Sequence, residues 1–434
     1  MPSTPRSHAA DPVIFRCHGH PRISGTHTKT VEFTRDPDVT ARATCVVGVR
    51  SEHDDRELLR LRGEVEVIVE CGDVRDAFRA SISPFFIGDD ALVFRRGPQL
   101  RGRTLAFDAT KTAAELHREL VRAAANRDAL VNVTIRELGT GERQGALFVV
   151  SVPIGNDDDL SPRARRVLEA ADIVLAEDTR RFRDLVDRTA MNVDARVVSY
   201  HDHNESARAR DVLDRLADGA RVALVSDAGT PLFSDPGYVV VRAAADAGVA
   251  VSPIPGPSSA LAVLSASGLP VDRFTYAGFL ARRSPARRSE IATLAAAGDA
   301  FVLHEAPRRV GRLLDDLGAV IPEWRVCIGR EVTKVFEEFR RASAAEMAGA
   351  YAAPGDEARG EFTIVVAPPE RTEGGRDGAA DVAVDGAADV QIERFVRALL
   401  AHGVTPKTIA QALSELPGFS HKQAYARVLE IARR

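Results

Sequence analysis

At 434 residues, with 45% hydrophobic and 28% charged side chains, the chain has a globular composition and enough length for about two to four domains. No apolar run is long enough to cross a bilayer and MPSTPRSHAADP holds no signal-peptide core, so a cytoplasmic protein with no membrane partner is expected. A net charge of −4 leaves nucleic-acid binding to local basic patches; the scattered Cys17, Cys45, Cys71 and Cys327 form no C-x-x-C pair, which argues against a disulfide framework or a zinc ribbon.

In chain order, residues 13–138 carry the β-like runs VEFT, TCVVGV, EVEVIVEC and ALVFRR and then the helical stretch TAAELHRELVRAAAN. This pattern predicts a small α+β domain. Cys17, His18, His20 and His27 cluster within it, and a polar surface or turn outweighs a metal-ligand set there. GTGERQG reads as a linker.

Residues 146–256 alternate short apolar runs (ALFVVSVPIG, ADIVLAED, RVVSY, RVALVSDAG, VAVSPIPG) with the amphipathic segments SPRARRVLEAA, NESARARDVLDRLADG and YVVVRAAADAG. Such alternation predicts a parallel sheet with helices on both faces. After PGPSS, residues 257–368 carry longer and less regular strands, DRFTYAGFL, DAFVLHEA, WRVCIGREV, EEFRRAS and EFTIVVAP. A second α/β half with a mixed sheet is expected, its junction with the first near Pro253 to Ser259. Residues 369–389 are rich in Gly, Ala and Asp without periodicity and predict a flexible linker. Residues 390–434 predict a short helical, helix-turn-helix-like module, with Thr405–Pro406 and Ser420 as helix starts.

In open α/β sheets, ligands bind beyond the carboxyl ends of the strands. The loops SVPIGN, AEDTRR, SDAGTPLFSDPG and PIPGPSS all follow candidate strands, and their Gly and Pro fix tight turns that bring backbone amides close to a ligand. Any one of them could be a plain strand–helix turn; their succession on one fold is harder to dismiss. Neither G-x-x-x-x-G-K-[ST] nor a G-x-G-x-x-G opening the first helix is present, so ATP and NAD are poorly supported.

SVPIGN, AEDTRR, YHDHNE, SDAGTPLFSDPG, PGPSSALAVLSASGLP, HEAPRR and REVTK occur in this order. Together they resemble the 16S rRNA cytidine-2′-O-methyltransferases called ribosomal RNA small subunit methyltransferase I, which share the tetrapyrrole-methylase fold. The resemblance runs from about Gly145 to Val366, and the C-terminal helices are similar to that family's tail. It implies a two-domain α/β fold, a homodimer, and S-adenosylmethionine in a cleft between the halves. Carried over by residue, Pro153, Ile154 and Gly155 would floor that cleft. Asp227, Ala228, Gly229, Thr230, Pro231, Asp235, Pro236 and Gly237 would hold the cofactor, and Pro255, Gly256, Pro257, Ser258 and Ser259 would close over it. His304 stands where the family usually has Tyr, and GNDDDL carries extra acid, which bears on the substrate pocket. The N-terminal region, with CHGHPRISGTHTKTVEFTRD, resembles an uncharacterised domain known mainly as a separate archaeal protein.

Methyl transfer from a sulfonium to a ribose hydroxyl is an in-line displacement that gains from alignment, a dry cleft and a general base. Base candidates are Glu177, Asp178, His201, Asp202, His203, Glu205 and Glu305, with helix capping an equal alternative for Asp178. His201 and His203 lack a further ligand at metal spacing, so no metal is expected. Arg282, Arg283, Arg287, Arg288, Arg308, Arg309, Arg330 and Lys334 are candidate phosphate contacts, with the run Arg180, Arg181 and Arg183 as a further basic patch. The resemblance implies a decoding-region cytidine of 16S rRNA within an assembled small ribosomal subunit. Rival readings are a tetrapyrrole (precorrin-like) methyltransferase, a non-catalytic ribosome-assembly RNA-binding factor, and a second activity in the N-terminal domain.

Overall fold

The computed structural model describes residues 11–98, 104–139, 143–201, 204–350, 359–369, 392–393, 395–400, 402, 404–414 and 421–433. Most of the linker expected over 369–389, together with Asp202, His203 and Ser420, lies outside them. Among the described residues no helix is long and apolar enough to cross a membrane.

The N-terminal unit is an eight-stranded sheet in the order β1-β8-β4-β5-β7-β6-β2-β3. Its strands are β1 (Val13–His18), β2 (Thr30–Thr34), β3 (Val46–Gly48), β4 (Glu64–Cys71), β5 (Val74–Ile82), β6 (Ala91–Arg95), β7 (Thr104–Phe107) and β8 (Leu130–Glu137). A bridge between His18 and Val49, in which each N–H donates to the other's carbonyl at 2.7 and 2.9 Å, brings the edge strands together and closes the sheet. Closure removes the open edges that would invite pairing with another chain. Phe15, Phe33, Phe78 and Phe94 fill the interior with edge-to-face contacts. The helix Arg118–Ala124 packs against β3, β4 and β5. β1, β5, β7 and β8 were not among the expected runs. In β5 and β8 most outward positions are Arg, Ser, Asn or Thr, so the apolar residues alternate without forming a continuous run.

The second sheet is all parallel, in the order β11-β10-β12-β9-β13. It comprises β9 (Ala146–Val150), β10 (Ile173–Ala176), β11 (Arg196–Ser199), β12 (Arg221–Val225) and β13 (Ala250–Ile254). Each coincides with an expected strand, and two apolar clusters, one containing Val150, Val167 and Val174 and the other Leu147, Val212 and Leu224, cover its two faces. Thr179–Arg188, noted in the sequence as a basic run behind Asp178 as a candidate helix cap, is a helix. Asp178 caps it and only Phe182 and Leu185 are buried, too sparse an apolar stripe to stand out.

The third sheet, β14-β15-β18-β16-β17, is mixed as expected: β14 and β15 are parallel and the remaining pairings antiparallel. Its strands are β14 (Phe274–Gly278), β15 (Ala300–Glu305), β16 (Arg325–Arg330), β17 (Glu338–Ser343) and β18 (Phe362–Ala367). The helix Ser259–Ala266, which begins after PGP with Ser258 at its N-cap position, packs on β15, β16 and β18. The helices Pro406–Leu413 and His421–Arg433 share a small core with Val396, in which Ile409, Leu413, Val428 and Ile431 are buried. Thr405 caps the first, its hydroxyl accepting the Thr408 N–H at 3.3 Å.

The N-terminal unit docks on the amino ends of the parallel sheet. Arg62 grips Asp172, just before β10, through two hydrogen bonds of 2.7 and 2.8 Å. Arg221, the first residue of β12, donates to the Leu59 carbonyl at 2.8 Å and is 1% exposed. Phe85 stacks edge-on against Phe148 of β9, with Ile87 packed into the same cluster.

Candidate functional site

At the opposite, carboxyl ends of β9, β12 and β13, the loops are tied to one another. The Val152 N–H donates to the Gly229 carbonyl at 2.9 Å, and the Gly229 N–H returns a bond to the Val152 carbonyl at 3.1 Å. Thr230 Oγ1 donates to the Pro257 carbonyl at 2.9 Å, so its hydroxyl oxygen accepts from Ser151 Oγ 2.8 Å away. The close approach needs glycine: a Cβ on Gly256 would lie 2.8 Å from the Ser151 Cβ, and Gly229 sits at φ 77° facing Ile154. Leu232 and Ser234 are held at φ 74° and 69°, where side chains other than glycine are strained, and such positions concentrate at functional sites. Pro153, Pro231, Pro236 and Gly237 are buried beneath this rim, whereas Gly155, Pro255 and Gly256 are exposed on it; Asp235 and Ser258 are half-buried.

Acids line the same edge. Asp227 accepts the Asp178 N–H at 2.9 Å and pairs with Arg181 at 3.4 Å, while Glu177 accepts the Asp227 N–H at 3.4 Å. Pro153, Arg181, Leu185, Arg188 and Asp227 line a small cavity of 130 Å³ there. Asp178 is the helix cap: it accepts the Arg180 N–H at 2.8 Å and pairs with the Arg180 guanidinium at 2.8 Å. That guanidinium, with the backbone N–H, holds the Asp178 carboxyl well below the usual carboxylate range. His201 is fixed by Asn204, whose side-chain oxygen accepts the His201 N–H at 3.0 Å and whose amide lies 3.1 Å from Nε2. Glu205 accepts the Gly237 N–H at 3.3 Å and so joins the helix Glu205–Ala217 to the SDAGTPLFSDPG loop.

The third sheet meets this rim from the other side. Glu305, at the end of β15, is buried; its Oε1 accepts from Arg309 Nε at 2.7 Å and the Ala306 N–H at 2.8 Å, while Oε2 has no partner among the described residues. His304 Nδ1 lies 3.0 Å from the Thr363 hydroxyl, and burial lowers its pKa. Around His304 stands an aromatic cluster that the sequence reading did not single out. Tyr276 and Phe279 lie 5.6 and 5.8 Å from His304, and Phe233 lies 5.7 Å from Tyr276. Because Ser234 and the Tyr276 hydroxyl are 2.6 Å apart, the cluster links the loop after β12 to β14. The sequence signal for it was the lone aromatic in PLFSDPG. Lys334 abuts Gly155, where a Cβ would lie 2.3 Å from the lysine Cγ.

The candidate phosphate contacts divide. Arg282, Arg283 and Arg308 are exposed and make no ion pair among the described residues. Arg287 is a correction: it is 2% exposed, pairs with Asp316 at 2.5 Å and donates to backbone carbonyls, so it is a core residue closed to RNA. Arg288 shares Asp316 at 2.6 Å, and Arg309 is spent on Glu305. Arg330 donates to the Arg359 carbonyl, and Lys334 sits between Glu331 and Glu361, 3.1 Å from each. Among the described residues no group of three or more His, Cys, Asp or Glu is placed to hold a metal ion.

Two family models match the chain: tetrapyrrole (corrin/porphyrin) methylases over residues 146–348, and a domain of unknown function, DUF371, over residues 15–137. A ribosomal RNA small subunit methyltransferase I from Xylella fastidiosa is 39% identical over 282 residues, covering 65% of this chain and 98% of that protein. One from Escherichia coli O157:H7 is 37% identical over 288 residues, covering 66% and 96%. Among solved structures, the methyltransferase CobJ is 20% identical with a TM-score of 0.41, over 52% of this chain and 95% of that one. With whole relatives matched at this identity, and the tied loops lying in the matched region, the chain belongs to the ribosomal RNA small subunit methyltransferase I family.

Proposed function

We propose that the chain transfers a methyl group from S-adenosylmethionine to the ribose 2′-hydroxyl of a cytidine in the decoding region of 16S rRNA, on an assembled small subunit and as a homodimer. Membership in a family of small-subunit rRNA methyltransferases supports the substrate class. The observation that carries the reading is the knot of loops at the carboxyl ends of β9, β12 and β13. Its glycines let the loops pack closely and gather their backbone groups at one rim, and its acids favour a cationic sulfonium; both fit the donor. When bound, that donor supplies an electrophilic methyl on sulfur. Pro153, Ile154 and Gly155 form the floor, residues 227–231 and 235–237 present backbone groups and Asp227, and residues 255–259 close the junction. The tie between Ser151, Thr230 and Pro257 keeps these parts in register, so little reorganisation is left for the reaction itself. Arg282, Arg283 and Arg308 supply the uncommitted positive charge for RNA phosphates.

The base is drawn from Glu177, His201, His203, Glu205 and Glu305. Asp178 is the poorest choice, since a carboxyl already stabilised as its anion by Arg180 takes a proton reluctantly. The deciding experiment is transfer of tritiated methyl from S-adenosylmethionine to small subunits purified from cells lacking the gene, followed by nucleoside analysis. Labelled 2′-O-methylcytidine is the expected product. Cofactor binding without transfer to subunits or to free rRNA would reject the rRNA substrate and redirect the search to tetrapyrroles.

A further inference from the structure

A second cavity, of 460 Å³, opens in the N-terminal unit at the seam where its sheet closes through the His18–Val49 bridge. The walls are built, not incidental. Gly19 allows the chain leaving β1 to press on the carbonyl end of the neighbouring helix; a Cβ there would lie 2.1 Å from the Asn126 carbonyl oxygen. The next residue, His20, is buried, and its Nδ1 accepts the Arg22 N–H at 3.2 Å. That leaves Nε2 to donate to Asp38, 2.9 Å away. Arg22 also reaches Asp38, at 3.4 Å, so the one carboxylate in the wall is already engaged twice.

Arg50 and Arg127 complete the lining, and both are exposed without an ion-pair partner among the described residues. Arg50 is held at φ 49°, a left-handed conformation rare for its residue type, by its N–H to the Asp36 carbonyl at 3.1 Å. Arg22, Arg50 and Arg127 against Asp38 alone leave a formal excess of two positive charges, before any on His18 or His20, in a chain of net charge −4. Arg22 is held by Asp38 and the Val39 carbonyl, 3.0 Å away, which leaves Arg50 and Arg127, among the described residues, as the free cations of a concave wall. Guanidinium groups there match the oxygens of a phosphate better than any neutral ligand. The volume lies in the range of small-molecule sites, roughly 300–1,000 Å³, and exceeds what a lone phosphate needs.

We propose that this cavity is a phosphate-ester site of nucleotide size, filled either by a free phosphorylated molecule or by the backbone of an RNA strand. The site stands apart from the methyl-transfer loops and would give the N-terminal domain a ligand of its own. The test is isothermal titration of the full-length chain with inorganic pyrophosphate and, separately, with a short oligouridylate. The same titrations are made with Arg50→Ala, Arg127→Ala and the charge-reversing Arg127→Glu, each verified as folded by its circular dichroism and melting curve. Saturable binding that weakens about tenfold or more with each change supports the proposal. Pyrophosphate alone binding identifies a free ligand; oligouridylate binding that pyrophosphate displaces identifies the RNA backbone. No saturable binding of either probe, or binding that the folded variants leave unchanged, overturns it.

Discussion

Thr230 shows how much one hydroxyl can organise. It donates to Pro257 and accepts from Ser151, joining segments separated by more than a hundred residues of chain in Ser151 to Pro257. Thr230→Val keeps the shape and removes both bonds, leaving a carbonyl and a hydroxyl short of partners. S-adenosylmethionine binding, read by calorimetry, should weaken about tenfold; unaltered affinity would separate the loop tie from the cofactor. Asp316 makes a different kind of demand. Burial alone would raise its pKa, but Arg288, Ser284 and Arg287 outweigh burial and hold the carboxyl below its usual range. The stability it contributes is therefore complete above about pH 4 and lost as pH falls through the lower folded value. Asp316→Ala strands the buried Arg287 and should cost about 3–5 kcal/mol in denaturant unfolding at pH 7.

Among the elements, the parallel strands were legible because each is a short, largely apolar run between helical segments, and β9, β12 and β13 are closed by Gly- or Pro-rich turns. The closed N-terminal sheet was only half legible, since strands such as β8 place Asn, Thr and Arg outward at every second position. In the site, the loops tied at Val152, Gly229 and Pro257 had been marked by their turn chemistry. The aromatic cluster had not: Phe233, Tyr276, Phe279 and His304 are scattered in sequence and meet only once the two sheets face each other. Nor does a basic run reveal which member is buried, as Arg287 and its neighbour Arg288 demonstrate. Arg221 offers a test at the junction of β12 with the N-terminal unit. Burial and the adjacent Arg62 disfavour its charge, and two of its guanidinium nitrogens have no partner among the described residues. Replacing a buried, poorly satisfied charge by an apolar side chain of similar length commonly stabilises. Arg221→Met should therefore raise the melting temperature; a fall of several degrees would mean that the bond to the Leu59 carbonyl dominates.

For the molecule as a whole, the N-terminal unit is a packed partner of the parallel sheet. A chain starting at residue 144 would strip Phe85 from Phe148 and Arg62 from Asp172. That truncation should lower the melting temperature and increase self-association in sedimentation, while methyl transfer to subunits persists within about threefold. A complete loss of transfer in a folded truncation would show that the N-terminal unit takes part in substrate recognition. The docking residues meet the amino ends of β10 and β12, and the tied loops leave the carboxyl ends, with strands of four or five residues in between. At about 3.3 Å per residue the two edges are roughly 15 Å apart, beyond the reach of a side chain from one edge to the other. The sheet thus acts as a spacer: no docking residue reaches the loops directly, and a signal from one edge would have to pass through the strands themselves, as a shift or as a field.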